Sequence, residues 1–193
     1  VLGIFVCLMN ISHNVVLRGI AKFYIWLIRG TPMLVQAFYF YFAMPQLIQS
    51  ITGSQFRITV FTASLVTLTL NAGAYISEIF RGSIESVNKG QMEAARSLGL
   101  NYAKSMQKII LPQAVKNILP ALGNELIVLL KETSISGYIG LMDLTRGGDI
   151  IRSQTYSALF PLLVVAAIYL VIVCFLTYLV GRLERRLRTN ERK

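Results

Sequence analysis

Polar side chains recur along one uncharged stretch of the chain. Residues 58–77 carry no charge, yet hydroxyl, amide and carboxylate groups follow one another through this stretch and just past it at steps of three and four residues. On an α-helix of about 100° per residue they fall within a stripe roughly 80° wide. Such groups can replace the hydrogen bonds that a polar solute loses on leaving water, so the stripe predicts the lining of a polar pathway. The alternative is that they only join helices to one another. The five residues are Ser64, Thr67, Asn71, Tyr75 and Glu78.

A second polar series lies between residues 117 and 132. An asparagine or a lysine recurs every seven residues, and a glutamate follows the last two of them. With Glu78, the glutamates outnumber the one lysine in the apolar segments by two charges, which favours a cationic solute. The alternative is that these carboxylates are salt-bridged or buried near the following loop. The series consists of Asn117, Asn124, Glu125, Lys131 and Glu132.

The sequence predicts neither a catalytic site nor a metal site. His13 stands alone in a polar stretch, and Cys7 and Cys174 lie in separate apolar runs without a partner for a metal or a redox pair. Glu125 and Glu132 are the only carboxylate pair in the apolar segments. The phosphate-binding pattern Gly-x-x-x-x-Gly-Lys-Ser/Thr is absent because no Gly-Lys pair occurs, so the chain is not expected to cradle ATP itself.

The composition indicates which elements must position these groups. Of the 193 residues, 54% are hydrophobic and only 15% are charged, whereas a soluble domain is about 45–50% apolar and a quarter charged. A membrane-spanning helix uses about 20 apolar residues. The chain is therefore predicted to be an all-α, polytopic membrane protein with about five spans in the lipid bilayer. The net charge of +10 would suit nucleic acid as well as anionic lipid, but apolar runs between the basic clusters exclude a nucleic-acid partner.

Charge-free runs place the five predicted spans. Residues 1–9 are too short to cross a hydrocarbon core of ~30 Å, so we expect them to be part of a first span that begins upstream. Pro32 suits the first turn of the second span. Glu125 and its charged neighbours interrupt the fourth span, which hydropathy alone would leave doubtful. The predicted spans are residues 1–9, 32–50, 57–80, 117–139 and 155–181, with a loop of residues 81–116, in one transmembrane domain of residues 1–193.

The basic residues predict the orientation of these spans. With five spans, 15 of the 19 lysines and arginines fall on one side, in the segment before the second span, in the loop of residues 81–116 and in the tail from Arg182. By the positive-inside rule this side is cytoplasmic. Without the fourth span, the large loop and the tail would lie on opposite sides. The distribution therefore supports the fourth span and a cytoplasmic C-terminus.

The large loop has an ordered pattern over residues 90–114, GQMEAARSLGLNYAKSMQKIILPQA. It predicts a short helix from near Gln91, a turn with positive φ at Gly99, and a second helix from about Asn101. Pro112 marks the approach to the fourth span. A mere linker would show no particular order of these residue types. The loop is therefore predicted to be a compact helix-turn-helix at the membrane surface.

At these residues the sequence resembles the permease subunits of ATP-binding-cassette (ABC) importers. The loop motif of that family is Glu-Ala-Ala, three residues, Gly, nine residues, Ile, one residue and Leu-Pro, and every spacing is kept here. The phrases IRGTPMLVQ, YISEIFRGSI, NKGQMEAARSLG and LLKETSI are similar to the polar and basic amino-acid branch. The matching residues are Glu93, Ala94, Ala95, Gly99, Ile109, Leu111 and Pro112.

The resemblance implies the type I ABC importer transmembrane fold and a division of labour. The motif segment would be a coupling helix that docks on a separate ATPase subunit, present in two copies and carrying ATP and Mg²⁺. Glu93, Ala94, Ala95, Gly99 and Pro112 would couple the chain to that ATPase. A second permease copy, expected to form a homodimer although a related permease is the alternative, would complete the pathway for a polar or basic L-amino acid.

The resemblance also implies an extracytoplasmic substrate-binding protein and a multi-pass location in a bacterial or archaeal cell membrane. Two other classes compete with this interpretation. A stand-alone secondary transporter or channel leaves the Glu-Ala-Ala loop without a role. An intramembrane enzyme would need a nucleophile and base, or a metal set, within the spans, and His13 lies outside them.

Overall fold

The structure is a computed structural model that describes residues 1–189, and these residues form helices with no strand among them. The elements in chain order are α1 (Leu2–Ile11), α2 (Val15–Gly30), α3 (Met33–Phe38), a π segment (Tyr39–Ala43), α4 (Met44–Thr52), α5 (Val60–Glu85), α6 (Lys89–Ser97), α7 (Tyr102–Ser105), a second π segment (Met106–Ile110), α8 (Leu111–Glu132), a 3₁₀ segment (Thr133–Ile139), α9 (Leu144–Thr155) and α10 (Leu159–Thr189).

Side-chain caps set the start of the helices that follow loops. A polar side chain before the helix accepts a backbone N–H that has no partner within the helix, and this fixes where the helix begins. Thr59 accepts from the N–H of Thr62 at the start of α5. The same arrangement occurs at Asn14, Asn88, Asn101 and Asp143, before α2, α6, α7 and α9.

Each π segment ends two residues before a proline. The N–H of Met44 bonds to the carbonyl of Tyr39, and the N–H of Leu111 bonds to the carbonyl of Met106, which are both i to i−5 bonds. Pro45 and Pro112 follow directly. Since proline has no N–H to donate, a local change to the wider π register lets the chain pass it without breaking the helix.

This continuity shows how the large loop joins the region of the predicted fourth span. The second helix of the loop runs past Pro112 into α8, because the backbone stays in the right-handed helical region at the junctions from Tyr102 into α8. Helix α8 therefore begins at Leu111, before the predicted span of residues 117–139. It ends at Glu132, and residues Thr133–Ile139 form a 3₁₀ segment.

Helix α5 is the centre of the bundle and packs against α1, α2, α3 and α8. Its approach to α1 is close: a Cβ at Gly3 would lie 2.5 Å from Cγ2 of Ile76. The hydroxyl of Tyr24 in α2 donates to the main-chain carbonyl of Leu70 in α5. Two small clusters of buried side chains complete the packing, one of Val6, Ala21 and Ile25 and one of Ala37, Ala63 and Ile139.

Two helices of the described part of the chain are long and apolar enough to cross a membrane: Val60–Glu85 and Leu159–Leu187. Helix α1 is apolar but shorter. Most side chains of α10 are exposed, which suits a helix surrounded by lipid or by another subunit. The count of five spans stays a prediction. Of the predicted cytoplasmic tail, Arg192 and Lys193 lie outside the described residues.

Candidate functional site

The Glu-Ala-Ala motif lies on α6, and the turn after it has the predicted form. Gly99 has φ +82°, in the left-handed region that favours glycine. The N–H of Leu100 bonds to the carbonyl of Ala95, and the N–H of Gly99 bonds to that of Arg96. This pair of bonds is a Schellman motif, which ends α6 sharply and turns the chain into α7.

The motif residues face in two directions. Ala95 is 1% exposed and packs into the protein, whereas Glu93, Ala94 and Gly99 are exposed. Pro112 lies outside α6, at the second residue of α8, and is also exposed. The structure thus separates one buried packing residue from a solvent-facing surface that can contact another protein.

Leu98 and Tyr102 extend this surface, and the sequence interpretation missed both. Leu98 is 83% exposed between α6 and the turn, and Tyr102 is exposed at the start of α7. Exposed apolar residues mark a partner-binding site when they form a patch rather than occur singly, and Leu98 and Tyr102 are the candidates for such a patch on this loop. A leucine directly before the helix-ending glycine is the sequence signal that could have indicated it.

Side-chain contacts connect the loop to the long helices. Nδ2 of Asn117 in α8 donates to Oγ of Ser86, the residue that follows α5, at 3.1 Å. Nε2 of Gln113 lies 3.5 Å from Oε1 of Gln91 in α6 and donates to the carbonyl of Ile109 at 2.9 Å. Asn117, predicted from its spacing to belong to a polar series of the span, therefore links α8 to the end of α5.

The N-terminal part of the polar stripe on α5 is buried within the protomer. Ser64, Thr67 and Asn71 are each 4% exposed or less. The hydroxyl of Thr67 donates to the carbonyl of Ala63 at 2.8 Å, so its donor is satisfied within its own helix. Oγ of Ser64 and Oδ1 of Asn71 have no hydrogen-bond partner among the described residues. These two oxygens lie seven residues apart on one helix face, and both are buried within the protomer.

The C-terminal part of the stripe, Tyr75 and Glu78, belongs to an ionic network. Nη2 of Arg81 lies 2.7 Å from Oε2 of Glu78, and Nε of Arg81 donates to Oε1 at 3.1 Å. Nη1 of Arg29 lies 3.7 Å from Oε2 of the same carboxylate, and Nδ2 of Asn10 lies 3.4 Å from Oε1. The guanidinium of Arg29 is also 5.1 Å from the centroid of the Tyr75 ring, which is within cation–π range.

The ionic network shows, for Glu78, which of the two interpretations of the carboxylates applies: a charge free for a cationic solute, or a salt-bridged one. Glu78 is salt-bridged, so its charge is not free for a solute. Glu125 and Glu132 form no ion pair with another described residue, and Oε2 of Glu132 is buried without a hydrogen-bond partner in that part of the chain. The two parts of the stripe therefore differ. The N-terminal part carries buried oxygens without a hydrogen-bond partner, and the C-terminal part connects α1, α2 and α5.

The corner between α2 and α3 is held by one buried amide. Nε2 of Gln36 donates to the carbonyl of Ile28 at 2.8 Å and to Oγ1 of Thr31 at 2.8 Å, and it lies 3.1 Å from the carbonyl of Thr31. These acceptors surround the Gly30-Thr31-Pro32 corner, where helical bonding is interrupted. Gln36 therefore fixes the angle at which the chain enters α3.

The sequence of residues 1–189 matches a family described as binding-protein-dependent transport system inner membrane component. The arginine transport system permease protein ArtQ of Bacillus subtilis is 44% identical over 191 residues, which covers 99% of this chain and 84% of the relative. The glutamine transport system permease protein GlnP of Escherichia coli is 41% identical over 169 residues, or 88% of this chain and 75% of the relative.

Two solved structures have a similar backbone. A crystal structure of an amino acid ABC transporter with histidines matches with a TM-score of 0.89 and 46% identity, covering 96% of this chain and 83% of the other. The inward-facing MetNI methionine ABC transporter matches with a TM-score of 0.72 over 96% of this chain and 84% of the other. At 20% identity, this second likeness concerns the fold alone.

Proposed function

The chain belongs to the family of binding-protein-dependent transport system inner membrane components, and we propose that it forms part of the translocation pathway for a polar or basic L-amino acid. It is a permease subunit of an ABC importer, as the sequence motif predicted, and the all-α importer fold is confirmed by the likeness to an amino acid ABC transporter. We propose that ATP hydrolysis takes place on a separate ATPase subunit rather than on this chain.

The single observation that carries the coupling mechanism is the solvent-facing surface of α6 and the turn after it. We assign ATPase docking to Glu93, Ala94, Leu98 and Tyr102, because these side chains are exposed at a rigidly terminated helix. Ala95 packs beneath them and holds α6 on the bundle. A leucine that becomes buried on docking supplies an apolar anchor, and the surrounding polar groups supply orientation.

Movement of a docked ATPase would reach the membrane through two connections. The segment from Tyr102 to Glu132 is a continuous run of helix, so a displacement near α7 is carried along α8. The bond from Asn117 to Ser86 carries the same displacement to the end of α5. ATP and Mg²⁺ would act on two copies of the ATPase, and this chain would convert their closure into relative motion of its helices.

The pathway proposal rests on the unused acceptors of α5. Oγ of Ser64 and Oδ1 of Asn71 are buried without a partner among residues 1–189, and an unmet buried acceptor is costly unless another group satisfies it. An ammonium or amide group of an amino acid is a donor of the required type. The related permeases named for arginine and glutamine support a polar or basic substrate.

The remaining components follow from the family and the charge distribution. We propose a second copy of this chain as a homodimer partner, an extracytoplasmic substrate-binding protein, and a multi-pass location in a bacterial or archaeal cell membrane with the C-terminus cytoplasmic. Labelling of a Lys89→Cys variant, with Cys7 and Cys174 replaced by serine, tests the orientation. An impermeant thiol reagent should label it only from the cytoplasmic side of sealed vesicles, and labelling from outside would contradict the topology.

Co-purification separates the importer from a stand-alone secondary transporter or channel. The tagged chain, solubilised in mild detergent from cells that express the neighbouring transport subunits, should bring down an ATPase. Substrate-driven uptake by the chain alone in proteoliposomes, without any ATPase, would contradict the proposal and support the alternative.

A further inference from the structure

Helix α2 presents three different faces. Ala21, Ile25 and Ile28 are buried against the bundle. A second face is apolar and exposed, and a basic edge separates it from the buried one. A tryptophan and phenylalanine on an exposed apolar face beside a row of cations are typical of a helix that lies in a membrane interface. The exposed apolar residues are Val16, Ile20, Phe23, Trp26 and Leu27, and the basic edge is formed by Arg18, Lys22 and Arg29.

The basic edge borders a cavity of about 480 Å³ between α2 and the last turns of α5. Arg18, Lys22 and Trp26 line its α2 side. They are four residues apart, so they stand one above another on the helix. Arg81 and two glutamates line the α5 side.

The charges on the two sides are not equivalent. Arg81 is bonded to both carboxylates of the α5 side, at 2.7 Å to Glu78 and at 2.6 Å to Glu85. Arg18 and Lys22 have no ion-pair partner in the described part of the chain. Arg29, whose Nη1 lies 3.7 Å from Oε2 of Glu78, supplies the second positive charge for these two carboxylates. The charges of Arg18 and Lys22 are then left over, so the α2 side of the cavity is positive.

The indole N–H of Trp26 adds a further unused donor. It has no acceptor among residues 1–189, and the side chain is exposed where the cavity meets the apolar face of α2. A ligand that fits both features carries an anionic group for the cations and an apolar part for the adjoining face. A free anion would leave the apolar face unused.

We propose that this cavity binds the phosphodiester headgroup of an anionic phospholipid, phosphatidylglycerol, from the cytoplasmic leaflet. The lipid phosphate lies between Arg18 and Lys22, and the acyl chains follow the face that carries Phe23 and Trp26. This proposal rests on the membrane orientation given under the proposed function. Basic pockets at the cytoplasmic ends of membrane helices suit anionic headgroups for the same electrostatic reason.

The test is the affinity of the purified full chain for dioctanoyl phosphatidylglycerol in detergent, measured by native mass spectrometry. The double variant Arg18→Gln with Lys22→Gln should bind at least about tenfold more weakly, because each cation near a lipid phosphate contributes roughly fivefold. The matched control, Arg57→Gln with Lys104→Gln, removes the same charge from exposed positions elsewhere and should bind within about twofold of the parent.

Two further measurements distinguish a lipid headgroup from free phosphate as the anion that binds in the cavity. Dioctanoyl phosphatidylcholine should bind the parent more weakly than phosphatidylglycerol, and millimolar inorganic phosphate should not displace the lipid. Equal affinity of the double variant and the parent, no preference over phosphatidylcholine, or displacement by inorganic phosphate would each overturn the proposal. The lipid-binding measurement involves neither the ATPase nor transport, so a negative result would leave the importer assignment standing. Conversely, loss of ATPase coupling with lipid binding intact would contradict only the importer assignment.

Discussion

Arg81 holds both carboxylate oxygens of Glu78, three residues before it on α5, at 2.7 and 3.1 Å. Arg29 of α2 and Asn10 of α1 reach the same carboxylate. Glu78 is therefore the point at which three helices are joined, close to the end of α5 that leads into the large loop of residues 81–116. A conformational change that separates α2 from α5 has to break or exchange these contacts.

Removal of Arg81 should therefore destabilise the protein more than removal of an exposed arginine. The Glu78 side chain is only 21% exposed, so Arg81→Gln would leave a largely buried carboxylate with a weaker partner. We expect a loss of about 1–3 kcal/mol in the free energy of unfolding, measured by denaturant in detergent. Arg152→Gln, which breaks an exposed pair with Asp149, should cost less than about 1 kcal/mol. Equal losses would show that the network does not hold the helices together.

Gly99 should tolerate only residues that can adopt a positive φ. Gly99→Pro fixes φ near −65° and removes the N–H that bonds to Arg96, so transport should fall while the protein still inserts into the membrane. Gly99→Asn should keep most of the activity, because asparagine enters the left-handed region more readily than other residues. Uptake in vesicles, normalised to the inserted protein, measures both. Normal uptake by the proline variant would show that the turn is not needed for coupling.

Leu98 should contribute to affinity for the ATPase. If docking buries this side chain, Leu98→Ser should lose about 1.5–3 kcal/mol, or roughly 10- to 150-fold in the dissociation constant. Ile51→Ser is the control, since Ile51 is equally apolar and 75% exposed at the end of α4, away from the loop. Titration of the purified ATPase against the detergent-solubilised chain gives both constants. A change of less than twofold at Leu98 would place the docking contact elsewhere.

Asn71→Leu should weaken substrate binding without disturbing assembly. The lost hydrogen bond to a charged group of the substrate costs about 1.5–3 kcal/mol, or roughly 10- to 150-fold in affinity. Ser77→Ala is the control, because Ser77 is buried on the same helix but its hydroxyl already donates to Ala74. Equilibrium binding to the purified complex separates the two. A parent-like affinity for Asn71→Leu, together with impaired folding, would assign the stripe to helix packing.

The sequence predicted the parts of the site that depend on local rules. The turn at Gly99 follows from a helix pattern that ends in glycine, and the structure confirms it. The helix before this turn was expected to start near Gln91, but α6 starts two residues earlier, at Lys89, because the side chain of Asn88 caps it. Both features depend only on neighbouring residues.

The parts that depend on distant residues could not be predicted in this way. Rules that consider only neighbouring residues predict a helix boundary at Pro112. The π segment before it lets the helix continue instead, and packing of α8 against α5 stabilises the continuous helix. The pairing of Glu78 with Arg29 joins residues 49 positions apart, so spacing along α5 could not distinguish a salt bridge from a free pathway acid. The unused acceptors at Ser64 and Asn71 were also visible only once neighbouring helices had buried them.

The central claim, that this chain couples ATP hydrolysis to amino-acid import, is tested most directly by ATPase activity in proteoliposomes. The permease is reconstituted with its ATPase and binding protein, and hydrolysis is measured across a panel of amino acids. The account predicts that one or more polar or basic L-amino acids stimulate hydrolysis, and that Leu98→Ser abolishes the stimulation. Hydrolysis that is the same with and without every amino acid, or uptake that proceeds without ATP, would contradict it.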